Sequence, residues 1–434
     1  MKDSIDRRVL LGSVAWAGSA GAVAAKSPLR WVKDRLAPSQ PKAAAGPVVD
    51  TEYGKLAGVQ EDGCVVFRGV PYGAPTSGAN RFRPPQKPAS WKGVRDASAF
   101  GSISPQPVFP VIPEENDSEA HELQGEDCLL VNIWTPKTGP GHRPVMVWFH
   151  GGGYTVGGGS APWYHGHRLA ARHDVVVVTV NHRLNLFGFL YLAELDPSFQ
   201  DAGNVGMQDC VAALEWVRDN ISAFGGDPGN VTIFGESGGA GKVSCLMAMP
   251  SAKGLFHRAV AESGAALKIS TPDQATAGTK AVLTKLGLGP GDIGKLQAMP
   301  FADVLKAAVG GPGLGAGPVA DGRSIPTNPF DPGAPMISAE VPFMTGSNLT
   351  ESTFFADTPL DPLDDAALRD HVKRYTHVDD GGADGLIGLY RNQHPERDNV
   401  FLYQLISSEY WMRSGVLLQA ERKAALARAW APGD

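Results

Sequence analysis

The chain has 434 residues, 43% of them hydrophobic, and a formal net charge of −6 with both signs interspersed. Nothing in that balance suggests nucleic acid or an acidic polymer as partner, and the length is enough for a large core. The 53 glycines and 34 prolines fall short of a disordered composition and suit an α/β protein with long loops.

Residues 1–25 read as a twin-arginine export signal. Arg7-Arg8 precedes a weakly hydrophobic Gly/Ala stretch, and Ala22-Val23-Ala24 offers an A-x-A cleavage site. Glycines at 12, 18 and 21 argue against a stable membrane span. A Pro/Ala-rich linker covers 26–46, so the folded body is expected over 47–434, in a periplasmic or extracellular protein.

Short β-branched runs predict strands at 51–57, 65–70, 128–134, 144–149, 174–180, 231–234, 257–262 and 341–346. Amphipathic patterning predicts a helix at 208–221, helix-forming residues predict one at 240–249, and 419–425 reads as a further helix. Residues 225–230 read as a turn, and 270–335 as a looser region capping the site. Alternating strands and helices imply a mostly parallel sheet with right-handed crossovers. Cys64, Cys128, Cys210 and Cys245 lack metal spacing, and Cys210 lies on an apolar stripe with Leu214, Val217 and Ile221.

Two motifs carry chemistry. Gly235-Glu-Ser-Gly-Gly239 is a G-x-S-x-G between a predicted strand and a predicted helix, the context of a nucleophile elbow with an exposed Ser237 hydroxyl. The helix start then turns free N–H groups and a positive dipole toward that hydroxyl. Upstream, a fully apolar strand runs into His150-Gly-Gly-Gly-Tyr154, where consecutive glycines let main-chain N–H groups approach a ligand closely.

These motifs, together with Phe67-Arg-Gly-Val-Pro-Tyr-Gly73, Arg81-Phe82, Glu126-Asp-Cys-Leu-Leu-Val-Asn-Ile-Trp134, Asn181-His-Arg-Leu-Asn-Leu-Phe-Gly-Phe189, Gly203-Asn-Val-Gly206 and Leu255-Phe-His-Arg-Ala259, resemble the type-B carboxylesterase/lipase family, which includes the cholinesterases. The resemblance covers about 48–430. It implies an α/β-hydrolase fold, a mostly parallel central sheet flanked by helices with lid insertions. It implies Ser237 as acyl nucleophile, oxyanion donors at Gly152, Gly153 and Gly238, and Glu351 as the triad acid. Glu236 and Ser263 match positions that surround these groups. Arg81 with Glu126, and Arg183 with Asp209, match structural ion pairs. The implied substrate is a small-molecule carboxylic ester, with no metal, cofactor or nucleic acid; the oligomeric state stays open.

Three departures bear on function. Cys128 matches a disulfide cysteine whose usual partner is replaced in Ser104-Pro105-Gln106, so free thiols are expected. Ser118 stands where cholinesterases carry the tryptophan that binds choline, which argues against a choline ester. The family's histidine base, in a Gly-x-x-His loop after a further strand, is not found. Chain order leaves His371, His377 and His394 after Glu351, none in such a loop. Two alternatives to an active hydrolase follow, a catalytically silent binding protein and a truncated reading of an active gene. The intact Ser237, Glu351 and glycine turn favour the second of these.

Overall fold

A computed structural model describes residues 46–107, 123–308, 316–354, 359 and 361–429. The stretch read as an export signal, nearly all of the linker, and Ser118 lie outside the described residues.

Among the described residues eleven strands follow in chain order: β1 (Val48–Thr51), β2 (Gly54–Ala57), β3 (Val59–Glu61), β4 (Cys64–Pro71), β5 (Val94–Asp96), β6 (Leu130–Thr135), β7 (Arg143–Phe149), β8 (Val176–Val180), β9 (Gly226–Glu236), β10 (Arg258–Glu262) and β11 (Phe343–Gly346). An eight-stranded sheet has the order β11-β10-β9-β7-β8-β6-β4-β3, with a three-stranded sheet β1-β2-β5 beside it. β11, β10, β9, β7 and β8 are mutually parallel, and β6, β4 and β3 continue antiparallel.

Strand periodicity explains why the sheet is buried on both faces. Val176, Val178, Ile133, Phe67 and Val65 join one core cluster, whereas the alternating Val177, Trp134, Val66 and Cys64 join another. A residue repeat of two sends neighbours to opposite faces, so the continuously buried strands β6 and β8 need helices on each side. α1 (His167–His173) supplies Ala170 to the second cluster. After α2 (Asn185–Phe189), the helices α3 (Val205–Asn220) and α4 (Gly238–Ala248) fill the first cluster. Cys210 packs there with Leu214, Val217 and Ile221, and all four cysteines are free and buried. The Arg81–Glu126 and Arg183–Asp209 pairs are both formed and buried, at 2.5 and 2.6 Å.

Three sequence expectations are corrected. The strand expected at 51–57 is a hairpin, because Gly54 turns at φ 147° and the Thr51 hydroxyl donates to its carbonyl at 2.7 Å. The turn expected at 225–230 continues β9 as an irregular extension, with a register shift between Arg143 and Val145 of β7. The looser region holds three helices, α5 (Pro272–Lys285), α6 (Ile293–Ala298) and α7 (Phe301–Ala308), packed against Leu186, Phe187 and Leu190. α5 starts on a capping box, Thr271 with Gln274, and proline at its first position. Beyond β11 come α8 (Asp365–Thr376), α9 (Asp380–Gln393), α10 (Asn399–Ser408) and α11 (Ser414–Ala429).

Candidate active site

Ser237 is the single residue between β9 and α4, with φ 53° and ψ −117°. A non-glycine residue held there costs about 1–3 kcal/mol, so the surroundings must fix it. They do: its N–H donates to Glu262 O at 2.8 Å, and its carbonyl accepts from Gly241 N–H at 3.1 Å. A β-carbon on Gly239 would stand 2.0 Å from Phe149 O, so only glycine lets the helix start this close to β7. The Ser237 side chain caps none of the helix N–H groups, which leaves its hydroxyl available.

The glycine turn after β7 lies against this elbow. A β-carbon on Gly238 would come within 2.2 Å of Gly153 O. Gly152 and Gly153 take φ of 80° and 64°. The N–H groups of Gly152, Gly153 and Gly238 meet no main-chain acceptor among the described residues. The Glu236 carboxylate faces Gly151, where a β-carbon would stand 2.9 Å from its Oε2. Gln106 pins the far side of the turn, its Oε1 accepting from Gly157 N–H at 2.6 Å and its Nε2 donating to Gly157 O at 3.0 Å.

Glu351 follows β11 and is buried. Its Oε1 accepts from the Ser263 hydroxyl and from Asn348 N–H, each at 2.6 Å. The segment 262–264 ties this carboxylate to Ser237. Glu262 O receives Ser237 N–H, Ser263 holds Glu351, and Gly264 passes beneath the Ser237 carbonyl, 2.4 Å from where its own β-carbon would sit.

No described histidine hydrogen-bonds to Ser237 or Glu351. The helices carrying His371 and flanking His377 and His394 build a separate cluster on Leu368, Val372, Ala383 and Leu402. The His371 ring lies 5.3 Å from Tyr403 and the His394 ring 6.5 Å from Phe401, while His377 ends α8. His150 and His182 stack at 4.9 Å, buried beside the glycine turn. Each Nδ1–H donates to a carbonyl, Gly151 O and Arg183 O respectively, and neither Nε2 has a partner among the described residues. Burial, and then the nearby Lys242, lowers the His150 pKa to about 3, and His182 is also held well below the usual range.

Sequence reading missed Lys242 and Gln106. Every residue of α4 is buried, so a lysine inside it is buried too. Its Nζ donates to Gly153 O at 2.7 Å and to His150 O at 3.0 Å, and stands 5.4 Å from the Tyr154 ring centre. The signal was a lone lysine in a helix otherwise made of small and apolar residues. Among the described residues no cluster of three or more His, Cys, Asp or Glu could hold a metal, and no helix is long and apolar enough to cross a membrane. A cavity of about 610 Å³ beside Trp216, Gln208 and Pro85 shares no residue with this site, whereas one of about 330 Å³ borders Gly346, Ser347 and Leu349 on the loop leading to Glu351.

The model of the carboxylesterase family matches residues 45–385. The chain belongs to that family. It is 47% identical over 261 residues to a para-nitrobenzyl esterase of Bacillus subtilis (strain 168), covering 60% of this chain and 52% of that protein. It is 38% identical over 341 residues to a phenmedipham hydrolase of Pseudarthrobacter oxydans, covering 76% of this chain and 66% of the other. The chain thus aligns with about half to two thirds of these relatives. A Geobacillus stearothermophilus carboxylesterase superposes with a TM-score of 0.75 at 38% identity, covering 87% of this chain and 77% of that one. A solved PNB esterase gives 0.70 at 35% identity, with 87% and 78% covered. As a carboxylesterase-family member the chain has the α/β-hydrolase architecture, with the elbow between β9 and α4 and the glycine turn at the carboxyl end of β7.

Proposed function

We propose that this site performs acyl transfer from carboxylic esters, with Ser237 as nucleophile and water as final acceptor. The strained turn at Ser237, pressed through Gly238 against Gly153, is the observation that carries the reading. The hydroxyl attacks the ester carbonyl, and the oxygen that gains charge is received by the N–H groups of Gly152, Gly153 and Gly238. Donors fixed in place before reaction lower the barrier because they need no reorganisation as charge develops. Glu351 is the acid placed to orient a base for Ser237; no described histidine is hydrogen-bonded to it. The substrate class is a small-molecule carboxylic ester, and an exported location remains part of the same proposal.

A fluorophosphonate tests the nucleophile directly, since it traps an activated serine irrespective of turnover. Labelling is expected at Ser237 and lost in Ser237→Ala. Labelling at another serine, unchanged in that variant, overturns the assignment.

A further inference from the structure

α4 carries a cation where its sequence predicts only packing. The helix is wholly buried, and Lys242 at its centre has no carboxylate partner at salt-bridge distance among the described residues. Burying an ammonium with no carboxylate at salt-bridge distance is costly unless hydrogen bonds compensate. Both of its acceptors belong to one feature, the turn that presents Gly152 and Gly153. His150 O is the carbonyl entering that turn, and Gly153 O is the carbonyl against which Gly238 packs.

We propose that Lys242 is a positioning residue for acyl transfer at Ser237: its ammonium grips the glycine turn by two carbonyls and sets a positive charge behind the oxyanion donors. The inference rests on the acyl-transfer reading for its kinetic part, while the grip on the turn stands independently. A carbonyl that accepts a hydrogen bond from a cation polarises its peptide unit, and the next N–H in the chain becomes a better donor. His150 O belongs to the peptide whose N–H is that of Gly151, and Gly153 O to the peptide whose N–H is that of Tyr154. The polarisation therefore acts on the turn from both ends, and the charge itself favours a developing oxyanion without contacting it.

The histidines, thiols and phenol around the ammonium are uncharged, which leaves Glu236 as the group of opposite charge acting on it. His150 and His182 are neutral, since burial lowers both. Cys210 of α3 and Cys245 of α4 are raised by burial, Cys245 to about 12, so both stay thiols. The Tyr154 phenol is raised well above its usual range and stays neutral. Glu236 is the anion that acts on Lys242 across the turn, favouring the charged form. Burial outweighs it and lowers the Lys242 pKa to about 8. The ammonium is therefore present at neutral pH and lost as pH rises through that value. Charge-assisted hydrogen bonding to the carbonyls weakens in the same interval.

This gives a pH dependence of unusual sign. A serine alone becomes more reactive as pH rises, because its hydroxyl gives up its proton more readily. With Lys242 in control, reactivity climbs and then falls above pH about 8.

The experiment uses the 434-residue protein, Lys242→Met (similar volume, no donors), Lys242→Gln (donors, no charge) and Ser237→Ala. Two quantities are measured between pH 6 and 10, the second-order rate of fluorophosphonate labelling at Ser237 and the amide hydrogen exchange of residues 150–157 relative to intrinsic rates. Expected is a labelling rate at least about tenfold lower in Lys242→Met, the size of one charge-assisted hydrogen bond. The falling limb should vanish in both Lys242 variants, and protection of 150–157 should drop in Lys242→Met and in wild type above pH about 8. Wild-type labelling rate and protection in Lys242→Met, or a falling limb that survives in it, overturns the proposal. If Lys242→Met fails to fold by near-ultraviolet circular dichroism, the wild-type pH course and Lys242→Gln decide. If wild type is not labelled at Ser237, the acyl-transfer reading fails, and exchange alone decides whether Lys242 grips the turn.

Discussion

Ser263 Oγ and Glu351 Oε1 stand 2.6 Å apart, joining the carboxyl end of β10 to the loop after β11. Ser263 itself sits at φ 49°, and its N–H donates to Gly346 O at 2.8 Å, so two adjacent parallel strands fix both partners. Removing the hydroxyl leaves one carboxylate oxygen with a single strong donor, Asn348 N–H.

Ser263→Ala should therefore cost about 1.5–3 kcal/mol of stability, the range for a hydrogen bond to a charged group. Glu351→Gln should cost less in the Ser263→Ala background than in wild type. A urea-unfolding double-mutant cycle measures the coupling, and simple additivity would show that the pair does not interact.

A site with the proposed nucleophile, acid and oxyanion donors, and with no histidine hydrogen-bonded to Ser237 or Glu351 among the described residues, should turn over slowly. In the serine protease subtilisin, loss of the histidine alone lowers kcat by about 2 × 10⁶, with on the order of 10³–10⁴ over water remaining from oxyanion donors and binding. If no other group serves as base, the 434-residue chain should hydrolyse p-nitrophenyl acetate only slowly. Added imidazole should raise that rate saturably in wild type and not in Ser237→Ala. A kcat of roughly 1–10³ s⁻¹ without imidazole would show that another group serves as base.

Much of this was legible in the sequence because it is local. The strand-turn-helix around Ser237 and the apolar strand entering His150 are written in consecutive residues, and Arg183 and Asp209 take the places that the family motifs assign them. What escaped depends on long-range contacts. Gln106 reaches Gly157 from a segment 51 residues away, and Lys242 reaches His150 O across 92. Neither residue type in its own neighbourhood announces such a contact. The Thr271–Gln274 capping box was local and readable, but the surrounding Ala, Gly and Pro obscured the helix behind it.

His150 and His182 set an acid limit on stability. Both are neutral in the fold, with pKa values lowered by burial, while in the unfolded chain they titrate near the ordinary histidine value of about 6.5. Below that pH the unfolded state binds more protons, so stability falls as pH falls. The pair supplies a limiting slope of roughly 3 kcal/mol per pH unit. Urea midpoints between pH 7.5 and 5, above most carboxylate titration, should show this decline, and replacing His182 with Asn should halve the slope. A flat midpoint over that interval would remove the pair from the account.

β11 ends the sheet, pairing with β10 on one side and with no strand on the other among the described residues. Met344 on this strand is 68% exposed, and Leu349 and Leu417 stand 57% and 47% exposed around the cavity of about 330 Å³. An open strand edge beside exposed apolar side chains is a template for pairing with another chain, and natural edges are guarded by charge. Concentration-dependent self-association of the 434-residue protein is expected, visible in light scattering at micromolar levels. Met344→Lys places a charge on the exposed strand, where surface substitutions change stability by only about 0.5 kcal/mol. It should reduce association without altering Ser237 labelling, because Met344 touches neither Ser263 nor Glu351 by any hydrogen bond. Association unchanged in Met344→Lys would show that another surface carries it.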